Sequence, residues 1–149
     1  MRIVIQRCYD ASVSVNGQIV GKINKGIMIL VGFTKGDNEQ ILNKMAYKTA
    51  NMRIFEDENS KMNKNLKANN GDVLSISQFT LYADCRKGNR PSFVNAGNPE
   101  KANELYEYII GKCRDEVPDV QTGSFGADMK ITLLNDGPFT IILDSKDLM

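Results

Sequence analysis

Apolar residues alternate with polar ones, or run together, over most of the first third of the chain, and this pattern indicates β-structure. Aliphatic and β-branched residues are concentrated in segments 3–8, 12–15, 18–23 and 26–33. The pair Asn16-Gly17 between two of these segments is typical of a tight β-hairpin turn. The pattern therefore predicts an antiparallel sheet in this part of the chain.

Two later segments show apolar residues at helical spacing. The first follows Asp37 and Gln40, which resemble a capping box with Asp37 as the N-cap. The second follows Asn98, predicted as an N-cap, with Pro99 in the first turn, and Pro118 is predicted to end it. The apolar stripes are Ile41, Leu42, Met45, Ala46, Thr49 and Met52 in the first helix, and Ala102, Leu105, Tyr106, Ile109, Ile110 and Cys113 in the second.

Strand patterns return between and after the helices. We predict a short strand at 53–56, a polar loop at 57–71, a long strand at 72–83 and another strand at 120–125. The segments 129–134 and 139–143 are predicted to form a hairpin through Asn135-Asp136-Gly137. The fold class is predicted as α+β, a single domain over residues 1–149, with a mostly antiparallel sheet or barrel and two amphipathic helices.

Composition narrows the chemistry. The chain has no histidine, so the usual general base near neutral pH is missing. Its three cysteines are widely spaced and form no C-x-x-C motif, which argues against disulfides and zinc and predicts a reducing, cytoplasmic compartment. A net charge of +1 predicts local rather than groove-long contact with any nucleic acid. No membrane segment, metal site or cofactor motif is predicted.

The segment Ser77-Gln78-Phe79-Thr80-Leu81 places polar side chains inside the predicted strand at 72–83. Alternation would put Gln78 and Thr80 on the same face as aliphatic residues, where each unpaired polar group would cost about 1 to 3 kcal/mol. One interpretation is that a ligand satisfies these groups. The other is that the threonine serves strand propensity and the glutamine bonds to a sheet edge.

The segment Asn135 to Thr140 contains the Asp-Gly pair of an ordinary hairpin, followed by Pro138. Proline has no N–H for a strand ladder, so it belongs at a sheet edge, at the start of a strand or after a cis bond. A Gly-Pro corner also exposes bare carbonyls with almost no side chain. Such a corner would suit a rigid wall beside a ligand.

These two segments resemble the paired signature motifs of the D-aminoacyl-tRNA deacylases, S-Q-F-T-L and N-x-G-P-x-T, which stand here at 77–81 and 135–140. The resemblance extends to residues 1–32, to RKGNRPSF at 86–93 and to TGSFGADM at 122–129, and so covers essentially the whole chain. It implies a homodimer that hydrolyses the ester between a D-amino acid, or glycine, and the 3′-terminal adenosine of tRNA. The implied substrates include glycine that is mischarged on the alanine tRNA.

The resemblance also implies a site shared between two chains. In the family the Gly-Pro bond is cis and its carbonyls reach the partner's site, where an L-residue would drive its Cβ into the wall. The implied catalytic residues are Ser77, Gln78, Phe79 and Thr80. The residues implied in substrate binding and rejection of L-amino acids are Asn135, Gly137, Pro138, Phe139, Thr140, Phe125, Met129 and Arg7, and those implied in tRNA phosphate contacts are Arg86, Lys87 and Arg90. Phe125, Met129 and Arg7 would line the adenosine pocket or brace the Gly137-Pro138 corner; the alternative is that they are core residues or a charge at a strand end.

Two routes to ester cleavage are open. Thr80 is a possible nucleophile, but there is no histidine to take its proton. In the other route, implied by the family, the ribose 2′-OH activates water and main-chain N–H groups near Phe79 and Thr80 stabilise the oxyanion. Two other functions compete with deacylation: a non-catalytic dimeric RNA-binding module, and an esterase for D-amino acid esters that needs no tRNA.

Overall fold

A hairpin of two long strands forms the centre of the sheet in the computed structural model, which describes residues 1–149. Strand β1 covers Arg2–Val15 and β2 covers Gln18–Gly32, paired antiparallel from Arg2↔Gly32 to Val15↔Gln18. Asn16 and Gly17 at the turn both have positive φ, +50° and +79°, as a hairpin with right-handed strand twist requires. The predicted hairpin is confirmed, and the short predicted segments are continuous strands.

The remaining elements add three strands to this hairpin and place helices on one face. They are α1 (Glu39–Asn51), β3 (Phe55–Glu56), β4 (Met62–Lys64), β5 (Asp72–Ser77), a 3₁₀ turn (Phe79–Tyr82), α2 (Pro99–Glu116), β6 (Val120–Thr122), β7 (Lys130–Asp144) and α3 (Ser145–Leu148). The main sheet is open, with strand order β6-β5-β2-β1-β7, and β3 pairs with β4 in a separate ribbon.

Strand directions in the main sheet are mixed. β1 pairs antiparallel with β2 and β7, whereas β5 lies parallel to both β2 and β6. The parallel pairs arise because α1 lies in the connection from β2 to β5, and α2 in the connection from β5 to β6, so that each forms a crossover. The α+β class and its two amphipathic helices are confirmed. None of the helices has the length and apolar run needed to cross a bilayer.

The main core lies between the sheet and the helices α1 and α2. Its fully buried members include Ile5, Ile27 and Ile29 from the sheet, with Leu42 and Ile109 from the helices. A smaller apolar cluster lies elsewhere in the sheet, around Met28, Leu74 and Ile76. Packing against the helices therefore holds the strands in place, including the end of β5, where the first polar motif begins.

The helix starts differ in how well the sequence predicted them. Asn98 caps α2 as expected, because its Oδ1 accepts from the N–H groups of Glu100 and Lys101. The prediction of Asp37 as the cap of α1 is wrong. Asn38 is the cap, accepting from the Ile41 N–H at 3.1 Å, while the Asp37 carboxylate instead accepts from the Thr34 N–H at 2.8 Å.

The predicted strand over 72–83 begins at Asp72 as expected, but its second half is wrong, because β5 ends at Ser77. Its neighbour β2 ends at Gly32, one residue beyond the Val31↔Ser77 pair, and on the other side β6 pairs only as far as Ser75. The Gln78 N–H still reaches the Val31 carbonyl at 2.7 Å, but no strand continues the ladder beyond it. The chain therefore bends into the 3₁₀ turn, and Gln78 and Thr80 do not share a strand face.

The predicted hairpin at 135–137 is likewise wrong, since β7 is one strand whose two halves both pair with β1. The register passes from Cys8↔Asn135 to Gln6↔Thr140, so residues 136–139 bulge opposite Arg7. β1 is long enough to hold both halves. Asn135 closes the bulge, because its Oδ1 accepts from the Phe139 N–H at 2.9 Å.

Candidate active site

A cleft of about 290 Å³ opens where β5 ends. Ser77, Gln78 and Phe79 form one side of it, and the segment from Phe125 to Met129 forms another. The structure therefore brings together five of the residues that the sequence singled out, although they come from two segments nearly 50 positions apart. Thr80 does not line the cleft. It is hydrogen-bonded to Gln78, which does, because the Gln78 Nε2 donates to the Thr80 Oγ1.

The turn beside the cleft depends on a glycine in the neighbouring strand. A Cβ built on Gly32 would lie 2.8 Å from the Gln78 carbonyl oxygen and 3.1 Å from the Leu81 Cβ. Only a residue without a side chain lets β2 and the turn approach this closely. Within the turn the Leu81 N–H donates to the Gln78 carbonyl, so Phe79 and Thr80 occupy the first two positions, whose N–H groups have no partner inside the turn.

The opposite wall is held from beneath by Tyr106. Its ring centroid lies 5.8 Å from that of Phe125, and its hydroxyl donates to the Ser75 carbonyl at 2.8 Å. Burial raises the pKa of Tyr106 to about 12, so the phenol keeps its proton at neutral pH. At the other end of the wall, Gly123 leaves room for the Met129 sulfur, which a Cβ there would strike.

The corner formed by Asn135 to Thr140 is a separate structure on β7. The Gly137-Pro138 peptide bond is cis, and Gly137 has φ of +138°, in the region that favours glycine. Asn135 spans the corner: besides accepting from Phe139, it donates from Nδ2 to the Thr140 hydroxyl at 3.3 Å. The corner is thus tied together by its own side chains.

Arg7 joins this corner to the rest of the fold. Its Nε donates to the Asp136 carbonyl at 3.2 Å, its Nη1 donates to the Ile54 carbonyl at 2.8 Å, and its guanidinium lies 4.7 Å from the centroid of the Phe139 ring. The sequence offered Arg7 either as part of the pocket or as a brace for the corner. In the structure Arg7 contacts the corner and not the cleft.

Within one chain the cleft and the corner lie far apart. The corner bulges opposite Arg7 of β1. Arg7 pairs with Ile27 of β2, and Ile27 pairs with Val73 of β5, so along the strand direction the corner is level with Val73, four residues before Ser77. Three strand-to-strand steps also separate β5 from β7. With standard spacings of about 4.8 Å between strands and about 3.3 Å per residue, the separation is about 20 Å.

The predicted phosphate-binding residues lie on a loop closed by Asp84 and Ser92, which exchange backbone hydrogen bonds of 2.7 and 2.9 Å. Arg86 is turned back onto Asp84, and its hydrogen bonds lower the pKa of that carboxyl to about 2. Lys87 and Arg90 are exposed and make no ion pair. The three cations are therefore not equivalent, since only Lys87 and Arg90 carry an unshared charge.

The polar groups at the cleft are hydroxyl, amide and main-chain groups together with the carboxylate of Asp128, which is paired with Lys130 at 3.1 Å. The thiols of Cys8 and Cys113 are buried, and desolvation raises their pKa to about 11 and about 12, so both stay protonated and unreactive near neutral pH. The third thiol, Cys85, is exposed on the loop that Asp84 and Ser92 close.

Several cleft residues carried no signal of their own in the sequence. Phe33 and Gly97 meet at the rim, where the Gly97 N–H donates to the Phe33 carbonyl at 2.9 Å, and Asp128 lies on the wall between Phe125 and Met129. Phe33 is the last residue of the predicted strand at 26–33 and Gly97 directly precedes the predicted cap Asn98, so neither was marked as a site residue. Asp128 falls inside the TGSFGADM stretch, so that stretch as a whole was the available signal.

The fold and the site together define a class: an α+β protein with an open mixed sheet and a cleft at one strand end that presents hydroxyl and main-chain groups. The family model described as D-Tyr-tRNA(Tyr) deacylase matches residues 4–144. The chain therefore belongs to the D-Tyr-tRNA(Tyr) deacylase family, and the family predicted from its two motifs is confirmed.

Relatives match over nearly their full length. The D-aminoacyl-tRNA deacylase of Clostridium novyi (strain NT) is 51% identical over 146 residues, covering 98% of each chain. That of Lactobacillus helveticus (strain DPC 4571) is 54% identical over 144 residues, covering 97% of this chain and 99% of the relative.

Solved structures show the same fold. The c-Myc DNA unwinding element binding protein superposes with a TM-score of 0.91 at 37% identity, covering 97% of this chain and 98% of the other. A probable eukaryotic D-amino acid tRNA deacylase superposes with a TM-score of 0.84 at 16% identity, covering 95% of this chain and 97% of the other. At that identity the second likeness concerns the fold alone.

Proposed function

We propose that this chain hydrolyses the ester bond of D-aminoacyl-tRNA and releases the free D-amino acid and tRNA. The observation that carries the proposal is the cleft at the end of β5, where Gln78 and Phe79 of one family motif face Phe125 and Met129. The relatives named D-aminoacyl-tRNA deacylase, alike over almost the entire chain, support the same reaction. The unpaired, widely spaced cysteines favour the cytoplasm as its compartment.

The ester is cleaved by water with the help of the substrate. The 2′-OH of the terminal ribose takes a proton from the water as the water oxygen adds to the ester carbonyl. The bond from that carbonyl carbon to the ribose 3′ oxygen then breaks, and the 2′-OH returns a proton to the departing 3′ oxygen. The N–H groups of Phe79 and Thr80, which have no partner within their turn, are available to the developing oxyanion. The Thr80 oxygen already accepts from Gln78, and no histidine exists to take its proton, which disfavours Thr80 as the nucleophile.

The complete site is formed by two copies of the chain. The α-ammonium and the ester carbonyl of an amino acid are separated by a single carbon, so the groups that hold them must lie within a few ångströms of each other. The corner at Gly137 and Pro138 is about 20 Å from the cleft of its own chain by strand spacing. A homodimer that brings one chain's corner to the other's cleft resolves this separation.

The edge strand β7 supports such a dimer. It is 15 residues long, forms one edge of the main sheet, and exposes Leu134 and Ile142 by 62% and 68%. Long edge strands with exposed apolar side chains are normally covered, because otherwise they pair with other chains. We assign that cover to the second copy.

Selection for D-amino acids follows from the corner. The carbonyls of Gly137 and Pro138 hold the α-ammonium group, leaving one open direction for the side chain. An L-residue would direct its Cβ into the corner, while a D-residue of any size points away from it. Glycine has no Cβ and passes the filter, so Gly-tRNA, including Gly-tRNA(Ala), is also a substrate. Lys87, Arg90 and, more weakly, Arg86 contact phosphates of the acceptor end.

The test is to incubate purified protein with D-Tyr-tRNA, L-Tyr-tRNA, Gly-tRNA and a free D-tyrosine ester and to follow release of the amino acid. We expect cleavage of the D-Tyr and glycyl substrates, with the L-Tyr substrate at least about 100-fold slower. Equal cleavage of the D and L substrates would contradict the corner as a filter. Rapid hydrolysis of the free ester would favour a tRNA-independent esterase, and binding of RNA without any turnover would favour an RNA-binding module.

A further inference from the structure

Two aromatic rings are exposed at the rim of the cleft. The ring centroids of Phe79 and Phe93 lie 5.0 Å apart at an interplanar angle of 72°, and the two residues are 58% and 37% exposed. In an edge-to-face pair the ring that supplies its edge has neither face covered by its partner, and the other ring keeps one face free. The pair therefore presents aromatic faces to solvent.

Positive charge adjoins these rings. Phe93 follows Ser92, which closes the loop with Asp84, and that loop carries Arg86, Lys87 and Arg90. Three cations against the one carboxylate of Asp84 leave two unshared positive charges, on Lys87 and Arg90. Aromatic faces beside a basic loop are the combination that binds unpaired nucleic acid strands, in which bases stack on the rings and cations contact the backbone.

The position of the pair indicates which base it meets. Phe79 lines the cleft, whereas Phe93 lies outside it. If the terminal adenosine and its ester occupy the cleft, the nucleotide that precedes the adenosine lies outside the cleft, beside Phe93. We propose that Phe79 and Phe93 form a stacking platform for the nucleobase that precedes the terminal adenosine of tRNA, an inference that rests on the proposed function. Phe93 is thus a positioning residue that sets how the single-stranded 3′ end enters.

The test pairs a protein variant with a substrate variant. Phe93→Leu keeps apolar bulk but removes the aromatic face, Phe93→Tyr retains the face, and Val94→Ala is the control at an exposed neighbour. The substrates are D-Tyr-tRNA and the same tRNA lacking the base of the nucleotide before the terminal adenosine. With intact tRNA we expect Phe93→Leu to lower kcat/KM about tenfold, mainly through KM, and Phe93→Tyr to restore it.

With the abasic tRNA, wild type is expected to fall by a similar factor and Phe93→Leu to fall no further. Additive losses, or an unchanged kcat/KM for Phe93→Leu on intact tRNA, would overturn the platform while leaving deacylation established by the wild-type rate. The mass of the Phe93→Leu variant in solution is measured alongside. A shift from dimer to monomer would mean that a second copy covers these rings, and would also overturn the inference. Failure of wild type on both tRNAs would instead remove the proposed function itself.

Discussion

Single side chains fix the polar groups of the cleft on which the proposed reaction depends. Gln78 donates to the Thr80 hydroxyl oxygen, and the main-chain N–H of Phe79 lies in the same turn. The polar side chains in this motif were visible in the sequence. Their partners were not, because the sequence predicted a strand in which Gln78 and Thr80 point the same way, while the bend after Ser77 lets one side chain bond the other.

Thr80→Ala tests the role of the hydroxyl. If water is activated by the substrate, this variant should keep kcat/KM within about tenfold of wild type, because only the contact with Gln78 is lost. Single-turnover cleavage of D-Tyr-tRNA measures the effect, with Thr80→Ser as the control. A fall of about a thousandfold or more in a variant that unfolds at the wild-type temperature would restore Thr80 as the nucleophile.

The cleft and the corner both lie where strand pairing ends or is interrupted, and not where it is regular. β5 stops because β2 and β6 offer it no strand partner beyond the Gln78 N–H, and β7 bulges where four of its residues face Arg7 alone. Hydrophobic alternation predicted where strands run. It could not predict which strand lies beside which, and pairing decides where a ladder ends.

Gly32→Ala tests the contact between β2 and the turn at the cleft. The added methyl would press on the Gln78 carbonyl oxygen at 2.8 Å, so we expect the turn to shift, deacylation to fall at least about tenfold and the free energy of unfolding to drop by about 1 to 3 kcal/mol. Chemical denaturation and D-Tyr-tRNA cleavage measure the two effects.

Gly111→Ala is the matched control for that substitution. Gly111 lies inside α2, and its added Cβ would meet nothing within 4 Å. This variant should keep full activity and gain about 0.5 to 1 kcal/mol of stability, since alanine favours a helix interior. Equal behaviour of the two variants would show that the close approach at Gly32 does not position the turn.

The arrangement of the entire chain separates the cleft from the corner, and this separation is the reason that we propose a site shared by two copies. Arg7 and Asn135 stabilise the corner within its own chain, yet that corner has no cleft beside it. A rigid, self-supported corner on a long edge strand is suited to insertion into a neighbour.

Mixing two damaged chains tests this arrangement. Gly32→Ala damages the cleft, and Gly137→Ala damages the corner, since Gly137 has φ of +138° and its new Cβ would lie 3.0 Å from the Phe139 nitrogen. If the site is shared, mixed dimers regain one intact site each, and equal amounts of the two variants should recover about a quarter of wild-type activity after exchange of subunits. If each chain carries its own site, the mixture stays as inactive as its components. Circular dichroism of each variant alone verifies that both are folded.

The sequence by itself determined the α+β class, the central hairpin, both amphipathic helices and the family. These depend on local signals: alternation, helical spacing, caps and two short motifs that remain readable wherever the segments lie. Tertiary structure alone decided that Gln78 and Phe79 meet Phe125 and Met129 in one cleft. It also decided that the corner lies on β7, three strands away from β5 in the sheet. Such long-range neighbours depend on strand order and register, which are set by the packing of the whole core and not by any single segment.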